Sequence, residues 1–381
     1  MKKFDIAIYG VGIVGLCLAK SLIDLGYKVC LLDKIKNKIF YEKKEQFFVS
    51  LNESSKNFLE YLEIFKNFPN KLINYYKKIL IFKKFKFEKI KFEKKNDFFT
   101  KIGYILEKNS LKKNLLESIK KKIVIFWNSS ITEVKRKNFL YISLAKKEKI
   151  RTKFLICTEK EKFFTNRNNI LPFFTNRYFI VCANIQITKN HKKSALQVFR
   201  NNKILAFLPK KNEKRGFIIL SERYQKNKKY KKITKRKLEN LVNNFFDSKL
   251  GVCKIQKKIQ FNEINTFIIK KFFKKRVFFI GNCAHCLHPL AGQNLNAGIH
   301  EAKILFQFFK KIKKKQYLHT NENKIENFLK KKSYLLFFSI EFLYFFFLSN
   351  NFFHKRIRNL SISILNYFPK FKEILIDLIS K

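Results

Sequence analysis

The sequence predicts an α/β fold, made of a Rossmann-like nucleotide-binding domain, an inserted β-sheet domain and a C-terminal helical segment. Three observations predict it. Residues 5–33 run strand, glycine turn, helix, strand and acid, the arrangement in which a dinucleotide meets a helix start. Residues 276–302, RVFFIGNCAHCLHPLAGQNLNAGIHEA, bring Gly281, Gly292 and Gly298 together in a chain with only 10 glycines. Glycine belongs where backbone turns tightly or approaches a ligand, and a helix start beside it offers unpaired N–H groups. Between these two stretches, residues 76–100 and 171–262 carry apolar runs of strand length with few glycines.

In order, Asp5 to Tyr9 reads as a buried strand leading into Gly10-Val11-Gly12-Ile13-Val14-Gly15. Ile13 to Leu25 keeps helical spacing, and Gly26 sits where a C-terminal cap belongs. Lys28 to Leu32 forms the second strand, with Asp33 at its end to accept from ribose hydroxyls. Residues 34–47 are polar and read as a loop, and Val49 to Leu62 is read together as one helical stretch. Basic and apolar residues alternate in KILIFKKFKFEKIKF, as strands of a second sheet require. Gly103 to Glu107 precedes a helical Leu111 to Ile119. Ile123 to Trp127 and Leu140 to Leu144 read as strands of a small β-meander, and Phe154 to Cys157 leads into a turn at Glu159 and Lys160. Val277 to Ile280 is a further buried strand, and Ile299 to Phe309 and residues 320–381 are helical in pattern. The implied organisation is a discontinuous nucleotide-binding domain (1–75, 101–170 and 263–320), a β-sheet domain (76–100 and 171–262) and a helical region (321–381).

Composition narrows the function classes. Lys and Arg number 83 against 28 Asp and Glu, a net charge of +55, which on its own suggests nucleic acid or an anionic membrane. Lys, Asn, Ile and Phe are inflated together, with 46 Phe, and all have A/T-rich codons, so mutational pressure explains much of the basicity. No nucleic-acid motif accompanies the charge, so no nucleic-acid partner is expected, while attraction to anionic lipid is retained. Seven unevenly spaced cysteines argue for a reducing compartment and no disulfide framework. Cys283-Ala284-His285-Cys286 is formally C-x-x-C, but no second pair stands at metal spacing and no metal is expected. The N-terminus runs straight into a strand, unlike a cleaved signal peptide. Tyr334 to Leu348 is too short for a bilayer span, which leaves a Phe-rich helix or a surface contact with a membrane.

Residues 276–302 resemble the second flavin motif of the class A flavin monooxygenases, strand-GDAAHxxxPxxGQGxNxGxxDA. The C-terminal stretches around Leu348, Arg356 and Pro369 resemble the ubiquinone-biosynthesis hydroxylases of that family. The resemblance implies a glutathione-reductase-type domain holding FAD non-covalently. Gly10, Gly12, Ile13, Val14, Gly15 and Asp33 would serve its adenosine diphosphate half, and Gly281 and Asn282 its ribityl and phosphate region. Pro289, Gly292, Gln293, Asn294, Leu295 and Asn296 would pass beside the isoalloxazine ring. The sequence departs from the family pattern at Phe47 (for Arg), Lys108 (for Asn), Glu159 (for Asp), Lys160 (for Gly), Phe163 (for Ser), Asn282 (for Asp) and Asn294 (for Gly). A lysine at the Lys160 glycine turn implies altered backbone there.

By the same resemblance the activity would be hydroxylation of a prenylated phenol in ubiquinone biosynthesis. NAD(P)H would reduce the flavin, and O2 would give a C4a-hydroperoxide that a phenol ring attacks. His285 and His288 lie in the motif, but no catalytic acid or base is assigned. Gln197 to Phe199, Ile204 to Pro209 and Leu250 to Lys254 resemble the members acting first, on 2-polyprenylphenol, whereas Asn282 resembles the member acting on the methoxylated phenol. The expected setting is cytoplasmic and peripheral to the inner membrane, and the resemblance allows a complex with other ubiquinone-biosynthesis proteins. The alternatives are a non-catalytic flavoprotein scaffold or another flavin oxidoreductase of the same fold. Membrane attraction of this origin predicts co-sedimentation with anionic liposomes at low salt that weakens as salt is added. Protein left in the supernatant at low salt would count against it.

Overall fold

The computed structural model describes residues 1–348 except 43–46, 67, 83–88, 93–100, 162–168, 173–174, 201, 225–232, 247–248, 290–291 and 315–321. Phe163, Leu290, Ala291 and the motifs beyond Leu348 therefore lie outside the described residues. The runs IAIY, VCLLD and VFF are buried throughout and FLIC all but its first residue, as strands covered on both faces must be. They form one six-stranded sheet in the order Phe273–Lys274, Val277–Phe279, Phe154–Cys157, Ile6–Tyr9, Val29–Asp33, Val124–Trp127. Its pairings are parallel except at the edge hairpin of Phe273–Lys274 with Val277–Phe279. The helix Ile13–Asp24 covers this sheet and packs against the helices Lys108–Ile119 and Gln293–Lys313. This is the α/β architecture expected from the sequence, a mostly parallel sheet covered by helices.

Three local expectations are corrected. Val124–Trp127 does not join the meander; it pairs parallel with Val29–Asp33 at the edge of the six-stranded sheet. The meander consists of Ile131–Arg136, Leu140–Leu144 and Lys149–Thr152, extended by Lys2–Lys3. Residues 34–47 include a short helix, Asn37–Glu42, held because Phe40 is buried edge-on against Trp127. Val49 to Leu62 is not all helix: Phe48–Leu51 is a strand, and Glu53–Tyr61 is the helix. The Asn52 side chain separates the two by accepting from the Ser55 N–H.

A seven-stranded sheet runs in the order Cys253–Asn265, Arg177–Ile187, Arg215–Arg223, Lys203–Pro209, Ser194–Arg200, Lys78–Phe82, Lys89–Phe92. It has its own core, built around Val181, Leu205, Phe207 and Ile218, against which Leu238, Val242 and Phe246 of the helix Lys235–Phe246 are buried. A three-stranded sheet of Phe48–Leu51, Gly103–Glu107 and Ile73–Tyr76 adjoins it, with Phe48 tilted on Phe217 at 5.2 Å.

The last described helix, Glu322–Leu348, packs on Gln293–Lys313 through a face that buries Leu329, Phe337 and Ile340. Phe328, Leu335 and Phe342 are instead 59%, 53% and 62% exposed, at a spacing that puts them on one helical face. Among the described residues no helix is long and apolar enough to cross a membrane.

Phe278 anchors the first core. It is fully buried between Phe273, Phe154, Phe308 and Phe309 at centroid distances of 4.3 to 6.1 Å. Phe278→Ala should cost about 3–5 kcal/mol, read as a lower urea midpoint. A midpoint within error of wild type would show that the core collapses around the loss.

Candidate functional site

The carboxyl ends of four adjacent parallel strands converge on one place. Ile6–Tyr9 ends at Gly10, Val29–Asp33 at Asp33, Phe154–Cys157 at Thr158 and Glu159, and Val277–Phe279 at Gly281. Asp33 is buried, and its carboxylate accepts from the Val11 N–H at 2.7 Å and from the Ile35 N–H at 2.9 Å. It thereby ties the glycine loop to the strand end, and each oxygen keeps a further lone pair. The helix Ile13–Asp24 starts at Gly12 with no capping side chain and no acid in its first turn. Gln293–Lys313 starts the same way, at a left-handed Gly292. Two helix starts with uncovered N–H groups and positive dipole ends form a setting for anionic or electron-rich ligand atoms.

The second glycine stretch is locked onto the first by steric fit. Gly281 has φ +56°, a conformation costly for other residues, and a Cβ there would stand 3.3 Å from the Thr158 carbonyl. A Cβ on Gly298 would meet Val14 at 2.6 Å. Val14 thus fills the space between the Gly281 turn and the Gln293–Lys313 helix, and Ile13 is buried in the core. These two side chains pack the loop, so only their backbone groups remain for a ligand.

Glu301, one turn beyond Gly298, is the centre of the polar network. Its carboxylate is buried and accepts from the Gly281 N–H at 2.7 Å, from His285 Nε2 at 3.0 Å and from the Ser333 hydroxyl at 2.5 Å. His285 Nδ1 faces Asn294 Oδ1 at 3.1 Å, so both ring nitrogens meet acceptors. Burial alone would depress the imidazole pKa, but the charge and hydrogen bond of Glu301 together with Asn294 hold it above the ordinary value. Asn294 also accepts from the Leu287 N–H at 3.0 Å and donates to Asn282 Oδ1 at 2.9 Å. Asn296 is buried, accepting from the Asn52 N–H and donating to the carbonyls of Ser50 and Gly292. Gln293 is buried, while Pro289 and Leu295 are half-buried.

His288 joins the two lobes. Its Nε2 lies 2.8 Å from the Ser221 hydroxyl of the seven-stranded sheet, and its ring meets Tyr178 and Tyr344 at 4.4 and 5.0 Å. Burial pushes its pKa down to about 3, so it is neutral at physiological pH. Of the two C-x-x-C thiols, Cys283 is buried beside Cys157, and burial raises the Cys286 thiol above its usual range. Among the described residues no cluster of three or more His, Cys, Asp or Glu could hold a metal.

The departures from the motif resolve differently. Lys160 has no positive φ, so its backbone is unstrained, and its ammonium lies 4.0 Å over the Phe267 ring. Phe47 contributes its carbonyl, which accepts from the Lys108 N–H at the start of the Lys108–Ile119 helix. Glu159 reaches back across the cradle. The Asn282 amide donates to both its oxygens at 3.1 Å, and Oε1 would lie 2.8 Å from a Cβ on Gly12. Sequence reasoning missed both Glu159 in this role and Glu301 altogether. The signal for Glu301 was available, because it occupies the acidic position of the quoted GxxDA segment.

The family described as FAD binding domain matches residues 176–318. The chain is 30% identical over 104 residues to the ubiquinone biosynthesis monooxygenase COQ6 of Dictyostelium discoideum, covering 26% of this chain and 21% of that protein. It is 19% identical over 316 residues to the ubiquinone hydroxylase UbiM of Neisseria meningitidis, covering 79% and 67% of the two. The match to the first of these relatives thus spans about a fifth of its length. Among solved structures, p-nitrophenol 4-monooxygenase PnpA of Pseudomonas putida is similar with a TM-score of 0.76 at 13% identity, covering 100% of this chain and 99% of that one.

The buried Glu301 network makes a prediction. Because the His285 pKa is raised on folding, its contribution to stability is full below the ordinary value of 6.5 and is lost as pH rises through the folded value. The advantage of wild type over His285→Gln in urea midpoint should therefore shrink as pH is raised. Glu301→Ala, which strands three donors, should cost about 3–5 kcal/mol. A pH-independent advantage would mean that His285 is neutral.

Proposed function

We propose that this chain, which the domain match and relatives support as a class A FAD-dependent aromatic monooxygenase of the ubiquinone-biosynthesis type, hydroxylates a prenylated phenol at a membrane surface. The observation that carries the reading is the meeting of two uncapped helix starts and the Gly281 turn at the carboxyl ends of adjacent parallel strands. In open α/β sheets that is where dinucleotide ligands bind. Gly10, Gly12, Gly15 and Asp33, with the backbones of Ile13 and Val14, would hold the adenosine diphosphate half of FAD. Gly281 and Asn282 would hold the ribityl and phosphate region, and Pro289 and Gly292 to Asn296 would line the ring. When bound and reduced by NAD(P)H, FAD supplies the activation of O2.

The protein's part is position, charge and dryness. The start of the Gln293–Lys313 helix would stabilise negative charge on a reduced ring. Asn294 and Asn296 fix that helix start against the Gly281 turn and the Phe48–Leu51 strand. Neutral His288, hydrogen-bonded to Ser221, closes the seven-stranded sheet over the site and keeps water out without adding charge.

A membrane-dissolved substrate is supported by the exposed Phe328, Leu335 and Phe342 face and the net charge of +55. The test supplies purified protein with FAD, NADH or NADPH, air and a prenylated phenol in vesicles. The expected outcome is nicotinamide oxidation coupled to a product heavier by one oxygen. Oxidation yielding only hydrogen peroxide with every phenol offered would sink the substrate class. The absence of any oxidation in FAD-loaded protein would favour a scaffold.

A further inference from the structure

The Glu159 side chain stands in the path of the cofactor's phosphates. Its carboxylate bridges the two glycine motifs: Oε1 would be 2.8 Å from a Cβ on Gly12, where the helix Ile13–Asp24 begins, and both oxygens accept from Asn282 across the cradle. A Cβ on Gly10 would also collide with the Glu159 stem. The glycines therefore open a space that this chain fills with its own anion. We propose that Glu159 is an internal competitor for the pyrophosphate subsite, so that FAD binds only when the Glu159 side chain swings away from Gly12 and releases Asn282. The inference rests on the reading of the site as an FAD site.

The physical argument has a steric part and an electrostatic part. A phosphate cannot approach Gly12 closely while a carboxylate oxygen lies there. Displacing the side chain by rotation is sterically feasible, because the nearest atom to Gly12 is the far end of a flexible chain. If the carboxylate stayed nearby, it would repel the diphosphate, a like-charge juxtaposition in a partly desolvated place. Asp33, also acidic, faces it from the Val29–Asp33 strand, while Lys108 and Lys112 face it from the Lys108–Ile119 helix and favour its ionised form. From the Gly281 turn the neutral Asn282 amide donates to it. Burial outweighs these attractions and raises the Glu159 pKa, so lowering the pH eases displacement by protonating the carboxylate.

The experiment is titration of the full-length apoprotein with FAD, followed by quenching of flavin fluorescence, for wild type, Glu159→Gln, Glu159→Asp and Glu159→Ala. Circular dichroism checks that each variant is folded. Glu159→Ala, which removes bulk and charge, should bind FAD at least about tenfold more tightly than wild type. Glu159→Gln, which keeps the bulk, should gain less, and this separates sterics from charge. Wild-type affinity should fall as pH rises, and Glu159→Gln should lose that part of the dependence. Equal affinity of wild type and Glu159→Ala would overturn the proposal while leaving the FAD site intact. Weaker binding by the alanine variant would overturn it by making Glu159 a ligand. A failure of every folded variant to bind at millimolar FAD would instead overturn the FAD site itself, and the proposal with it.

Discussion

The buried carboxylate of Glu301 is the constraint on which the rest of the site depends. Three donors from three elements point at it: the Gly281 N–H from a strand end, His285 from the short strand paired with Phe267–Ile268, and Ser333 from the last described helix. An unpaired carboxylate in that position would be expensive, and so would any of the three donors without it. The network therefore fixes the second glycine turn, the helix behind it and the C-terminal helix as one unit. His285 passes the same constraint on to Asn294, and Asn294 passes it to Asn282 at the open face.

Around that unit, each lobe has its own core. They meet along an apolar contact, with Phe48 on Phe217, His288 between Tyr178 and Tyr344, and Ile180, Phe199 and Ile204 of the seven-stranded sheet buried in the first core. Keeping His288 neutral allows it to bond Ser221 inside an apolar seam without the cost of a buried charge. Specificity for a ring substrate would be set along this seam, since it joins the apolar sheet to the glycine turns.

The parts of the fold legible in the sequence were those whose signal is local. Gly10 to Gly15 with Asp33, and Gly281 with the helix after it, announce themselves through spacing and residue type. Partner choice is not local. The run Val124–Trp127 reads the same whether it extends a meander or a parallel sheet, and only its packing beside Val29–Asp33 decides. The helix Asn37–Glu42 is too short to be stable by propensity and exists because Phe40 finds Trp127. Glu159 was noted as a substitution for aspartate, but the direction taken by one extra methylene is a tertiary fact. The hydrogen bonds to Glu301 span 16 to 32 positions, beyond what helical or strand periodicity can reveal.

The chain's glycines carry a historical record. Glycine codons are G/C-rich, and a genome drifting toward A/T replaces them wherever a side chain can be tolerated. Only 10 remain. Five have positive φ, and at each of the other five a Cβ would come closer than 3.0 Å to a neighbouring atom. Among the five without positive φ, Gly12 differs in what it faces, since its only neighbour within that distance is the far end of the flexible Glu159 side chain. The folded polypeptide alone could accommodate alanine there by turning one side chain. A glycine there leaves the backbone open to something outside the polypeptide that must lie against it.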